Sequence, residues 1–110
     1  METWRNVKKK KPHGNSLKNN NPHHLYEIRD KEDGNVFKYG ISHDPIDKDG
    51  LSKRIRIQFD ILNLGADWIR YFARILIKNI LGRKKAKKIE REYIDDYEKR
   101  YGRKPRGNRD

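Results

Sequence analysis

The sequence predicts an α+β domain from three observations. Two short aromatic and β-branched runs flank an Asp33-Gly34 pair, an apolar stripe recurs at helical spacing from Leu51 to Leu62, and a second helical repeat stops at Gly102. The runs HLYEIRD and VFKYGIS predict a β-hairpin, because Asp-Gly supplies the positive φ angles of a tight turn. After the polar loop HDPIDKDG, the segment LSKRIRIQFDILN places Leu51, Ile55, Phe59 and Leu62 on one helical face. Residues 68–78 (WIRYFARILIK) fit two periods: Ile69, Phe72, Ala73, Leu76 and Ile80 suit a helix, while Ile69, Tyr71, Ala73, Ile75 and Ile77 alternate as in a strand. From Lys84 to Tyr101, Ile89, Tyr93 and Tyr97 lie one turn apart, and Gly102 and Pro105 prevent the helix from continuing.

Ahead of these elements, residues 1–22 combine a Lys run, two prolines and an Asn run with no hydrophobic period after Trp4. They predict a flexible basic leader, with the folded domain over 23–110. The 110-residue chain is 33% apolar, enough for one modest core. Against 16 acidic residues stand 28 Lys and Arg, a formal charge of +12 that attracts polyanions before any specific contact forms. Nucleic acid is therefore the expected partner. A membrane surface is not, since the basic residues are spread along the chain rather than gathered on one amphipathic helix. The absence of cysteine excludes disulfides, Cys-ligated zinc and thiolate nucleophiles. Arg70, Arg74 and Lys78 interrupt the most apolar stretch, which falls short of a spanning helix.

Taken singly, the polar residues are ordinary: Tyr26 suits a half-buried strand, Arg54 and Arg56 a solvated helix face, Glu90 an exposed helix charge. Their order is more specific. A strand with Tyr26 (LYEI), a turn, a strand reading KYGIS, a loop, LSKRIRIQF, a variable segment, AKKIEREYI and finally PRGN follow one another over residues 24–108. This series resembles the GIY-YIG nucleases, a group that includes repair excinucleases, homing endonucleases and restriction enzymes. The resemblance implies a small three-stranded antiparallel sheet flanked by helices, and it assigns Ile69–Ile77 to the third strand.

It also implies roles. Tyr26 would help to activate the attacking water. Arg54 would steady charge on the phosphoryl oxygens, as a planar and permanently charged guanidinium does. Glu90 would hold one divalent ion, Mg²⁺ or another such as Mn²⁺, and Asn108 would brace the site from behind. Lys38 stands where the family's second tyrosine is usual, and the neighbouring Tyr39 faces the opposite way along a strand. Gln58 occupies a position where some members carry histidine, so no general base is expected there. His23, His24 and His43 flank the first two strands and are read as loop residues rather than a metal site; His13, in the leader, is given no role.

The short length, basic leader and KYGIS and PRGN variants are most similar to the toxin branch of the family, at the C-termini of contact-dependent or polymorphic bacterial toxins. That branch implies a DNA-cutting effector, with RNA as second substrate, delivered into the cytoplasm of a target bacterium. It also implies a cognate immunity protein, expected to be acidic because it must outcompete DNA for the +12 surface. The rival reading is a non-catalytic basic nucleic-acid-binding module. A repair or homing nuclease fragment would require an attached targeting domain.

Overall fold

Alternation along residues 22–30 sends Leu25 to one side of a sheet and Tyr26 and Ile28 to the other, and all three are buried. Only a central strand covered on both faces allows this. In the computed structural model, which describes residues 21–108, strand β1 (Pro22–Asp30) lies between β2 (Val36–Ser42) and β3 (Tyr71–Leu81), antiparallel to both. Helix α1 (Lys53–Ala66) packs on one face and α2 (Arg83–Tyr101) on the other; a 3-10 turn, Arg106–Asn108, closes against β2. This is the three-stranded antiparallel α+β arrangement expected. Most of the segment read as a leader, His13 included, lies outside the described residues, although Pro22 opens β1.

The β1–β2 connection, Lys31–Asn35, is longer than a two-residue turn. Gly34 adopts φ 73°, and the Asp33 carboxylate accepts the Asn35 N–H at 2.9 Å, so the Asp-Gly pair does reverse the chain. Ser52 caps α1 by accepting the Ile55 N–H, and Asp67, left-handed at φ 64°, ends it. The stripe Leu51, Ile55, Phe59 and Leu62 packs with Tyr26, Ile28 and Tyr71. On the opposite face Ala86, Ile89 and Tyr93 of α2 cover Leu25, Ile41 and Ile80, and Gly102 stops that helix at φ 78°.

The third strand runs two to four residues later than expected, and Ile69 is left 70% exposed outside it. Its two periodicities have a physical cause. Tyr71, Ala73 and Ile75 serve the α1 side, whereas Leu76, Ile77 and Ile80 serve the α2 side, with register shifts near Leu25 in the β1 pairing. A strand whose packed side changes partway along has no single polar stripe.

Asp30, fully buried at the end of β1, fastens three segments. Its carboxylate accepts from Arg70 Nε and Nη2 at 2.8 and 2.7 Å, from Arg106 Nη2 at 2.5 Å and from the Glu32 N–H at 2.9 Å. These donors, Arg70 foremost, hold its carboxyl well below the usual carboxylate range. By anchoring Arg106, the clasp fixes the C-terminal turn beside β2. Asn108 then acts as a substitute strand partner: its Oδ1 accepts the Tyr39 N–H at 2.7 Å and its Nδ2 donates to the Tyr39 carbonyl at 2.8 Å. The edge of β2 is thereby closed at the residue between Lys38 and Gly40.

Candidate functional site

Antiparallel register sets Tyr26 opposite Gly40 and Ile28 opposite Lys38, so the Tyr26 and Lys38 side chains leave the sheet on one face. They meet at a third residue. The Tyr26 hydroxyl donates to Gln58 Oε1 at 2.9 Å and Lys38 Nζ donates to the same oxygen at 3.2 Å. The phenol ring lies directly across Gly40, where an added Cβ would fall 2.5 Å from Tyr26 Cζ. The glycine of KYGIS is therefore needed for close approach of a side chain, and no unusual φ is involved. Tyr39 faces the other way and stacks edge-on against Tyr93 of α2, with centroids 5.4 Å apart.

Tyr26, Lys38, Arg54 and Glu90 share one recess of about 110 Å³ against β2. Sequence reasoning named these four, and the fold brings them together. Asn108 is not part of this recess; it holds the β2 backbone and lines an adjoining groove of about 280 Å³, which shares Glu90 and Lys87 with the first. Arg56, two residues after Arg54, is bound instead by Asp47 and Asp49 of the preceding loop. Its task is to hold that loop.

Charge in the recess is uneven. Lys38, Arg54, Arg83 and Lys87 line it with a single carboxylate, Glu90, which is 9% exposed and accepts from Lys87 Nζ at 2.9 Å. Burial pushes the Tyr26 phenol up, opposed by the Gln58 hydrogen bond and the Arg54 charge. Burial, assisted by Arg54, pushes the Lys38 ammonium down, opposed by Glu90. The phenol thus keeps its proton at neutral pH, while the ammonium becomes the more acidic of its kind.

Gln58, His23 and His24 escaped sequence reasoning. Gln58, set aside because an amide is no base, is the hub that joins Tyr26 to Lys38. His23 and His24, read as loop residues, are buried members of β1. The His24 Nδ1 accepts the N–H of Asn79, a residue with φ 58°, and so supports a kink in β3. His23 lines the recess, and the ring of exposed His43 lies 5.7 Å from its own.

Among the described residues no group of three or more His, Cys, Asp or Glu converges on a metal-binding position. A lone carboxylate beside open space nevertheless suits Mg²⁺, which keeps several waters and takes one or two carboxylates together with substrate phosphate. Glu90 meets that limited requirement.

Fold and recess together define a small basic α+β domain with a polar site built over its edge strand. The chain belongs to the URI fold toxin 2 family, whose model matches residues 16–102. It is thus a toxin domain. Neither the curated proteins nor the solved structures contain a match. Among the described residues no helix is long and apolar enough to cross a membrane.

Proposed function

We propose that this toxin domain is a divalent-metal-dependent endonuclease of GIY-YIG type that hydrolyses phosphodiester bonds in DNA. The observation that carries the proposal is the convergence of the Tyr26 hydroxyl and the Lys38 ammonium on Gln58, in a recess also lined by Arg54 and Glu90. A phosphodiester is attracted by the +12 protein and held in the recess by Arg54, whose guanidinium matches two phosphoryl oxygens. As negative charge builds on those oxygens, Arg54 and Lys38 stabilise it from fixed positions.

Tyr26 keeps its proton on Gln58 and offers an oxygen lone pair that orients the attacking water. Lys38, made more acidic by burial, supplies a proton to the departing sugar oxygen. Glu90 is the residue that would hold Mg²⁺ or Mn²⁺, and such an ion supplies Lewis-acid neutralisation of the phosphate charge when bound. Asn108 braces the strand that carries Lys38 and Gly40. An effector of this kind acts in the cytoplasm of a target bacterium, and its producer is protected by an immunity protein. An acidic partner covering the recess fits the charge distribution.

Incubation with plasmid in Mg²⁺ and, separately, in EDTA tests the proposal. Nicking and linearisation in Mg²⁺ alone is the expected result. A band shift with no cleavage in any divalent ion would instead support the non-catalytic binding module.

A further inference from the structure

The outer side of α1 is apolar where contact with water favours polar residues. Arg54, Ile57, Ile61 and Leu64, spaced three and four apart, form one stripe along it, and Trp68 and Ile69 extend it past the helix end. All six are exposed, Ile61 at 64% and Leu64 at 83%. Scattered apolar residues need no explanation, but a continuous apolar row that starts beside a reactive arginine marks a surface another molecule covers. Two grooves flank the row. One of about 310 Å³, between Ile61 and Phe37, shares Lys38 with the recess. The other, of about 560 Å³, lies among Leu64, Trp68, Ile69, Asp60 and Asp67.

Charge identifies the occupant. Residues 57–69 hold no Lys, Arg or His, against 28 Lys and Arg in the whole chain, yet they include Asp60 and Asp67. Phosphate is repelled there, so this face is no extension of a DNA-binding surface. A second copy fits poorly: two chains of +12 repel each other, and a two-fold contact would bring Asp60 and Asp67 towards their own counterparts. A net acidic protein with an apolar edge meets both requirements, since its charge draws it to the +12 domain and its edge covers the row.

We infer that the immunity protein, whose existence rests on the function proposed above, docks along this stripe, packs apolar side chains from Ile57 to Ile69, and sets a carboxylate on Arg54. The recess, at about 110 Å³, holds little more than one side chain, so most of the area that a stable complex needs must lie outside it. Trp68 is the type of anchor that carries much of the energy of such contacts. The stripe also has a direction, cationic at Arg54 and acidic at Asp60 and Asp67, which fixes how the partner lies. Docking masks the arginine that holds phosphate and closes the groove leading to Lys38.

Calorimetric titration with the immunity protein tests this, the protein being the product of the reading frame adjoining the toxin gene that rescues cells expressing the toxin. Ile61→Gln with Leu64→Gln keeps side-chain length, helix propensity and net charge while removing apolar surface. Kd should rise ~30-fold or more, with DNA affinity and plasmid cleavage as in the wild type. Arg54→Gln should raise Kd about tenfold or more and flatten its salt dependence. An unchanged Kd for the double variant overturns the docking site; Leu64→Gln alone replaces it if the pair fails to fold. A weakened double variant beside an unchanged Arg54→Gln overturns the contact with Arg54. A wild type that sediments as a dimer, and as a monomer once the stripe is altered, gives the face to a second copy and overturns the assignment. If no adjoining product rescues the cells, the partner itself is overturned. Titration requires no cleavage, so a wild type that cuts no nucleic acid removes the nuclease reading while Kd still decides the docking site.

Discussion

Glu90→Gln should abolish cleavage, with the rate falling ~10²- to 10³-fold or further, while DNA binding survives or tightens. Gln keeps the length and shape of the side chain and still offers Lys87 an oxygen to replace the 2.9 Å contact, so the helix and the recess are preserved. The negative charge that a divalent ion requires of its protein ligand is lost. The recess also loses its only carboxylate among four cationic neighbours, and repulsion of phosphate declines accordingly. Were Glu90 merely one more helix carboxylate, the change would shift stability by about 0.5 kcal/mol at most and leave cleavage untouched. Plasmid nicking and a band-shift titration on the same preparation separate the two accounts. Nicking at the wild-type rate by a folded, DNA-binding Glu90→Gln protein would remove the metal-ligand role.

Gly40→Ala should damage the site through Tyr26 without altering any proposed catalytic group. The new methyl would overlap the hydroxyl end of a ring that is 1% exposed and packed against Ile28, Ile55 and Tyr71. The ring has nowhere to retreat, so the strands part or the hydroxyl leaves Gln58. Overpacking of this kind costs about 1–3 kcal/mol of stability. A shift of about 1 Å in a positioning group can lower the rate as much as ~10²-fold. Adding Tyr26→Phe to Gly40→Ala deletes the atom in closest conflict, and should recover part of the stability but none of the activity. Thermal unfolding and single-turnover rates of the two variants test this. A single Gly40→Ala variant as stable and as fast as the wild type would show that the ring does not depend on the bare backbone at Gly40.

Elements with one continuous apolar stripe, and the two strands joined by the Asp33-Gly34 turn, were legible in the sequence, and the third strand was not. The stripe Leu51, Ile55, Phe59, Leu62 announces α1 because the opposite side of that helix meets water, and α2 is announced in the same way. Residues 71–81 resisted because the packed side of β3 changes partway along, from Tyr71, Ala73 and Ile75 beneath α1 to Leu76, Ile77 and Ile80 beneath α2, which breaks the alternation that identifies a strand; only a family resemblance placed it. At the site, strand alternation correctly parted Lys38 from Tyr39, and motif order brought Tyr26, Lys38, Arg54 and Glu90 to one recess. Gln58 was invisible as a hub because its partners lie 32 and 20 residues away in the chain. His23 was passed over because no motif includes it, and its ring, with Nε2 left without a hydrogen-bond partner, is buried only once the fold has formed.

If phosphodiesters are held in the recess against β2, a chemical-shift titration of ¹⁵N-labelled protein with a short DNA duplex in EDTA will locate them there. The largest perturbations are expected at the amides of Gly40, Ile41 and Lys87, which line the recess. Shifts confined to the outer face of α1, around exposed Ile57, Ile61 and Leu64, with those three recess amides unmoved, would contradict it.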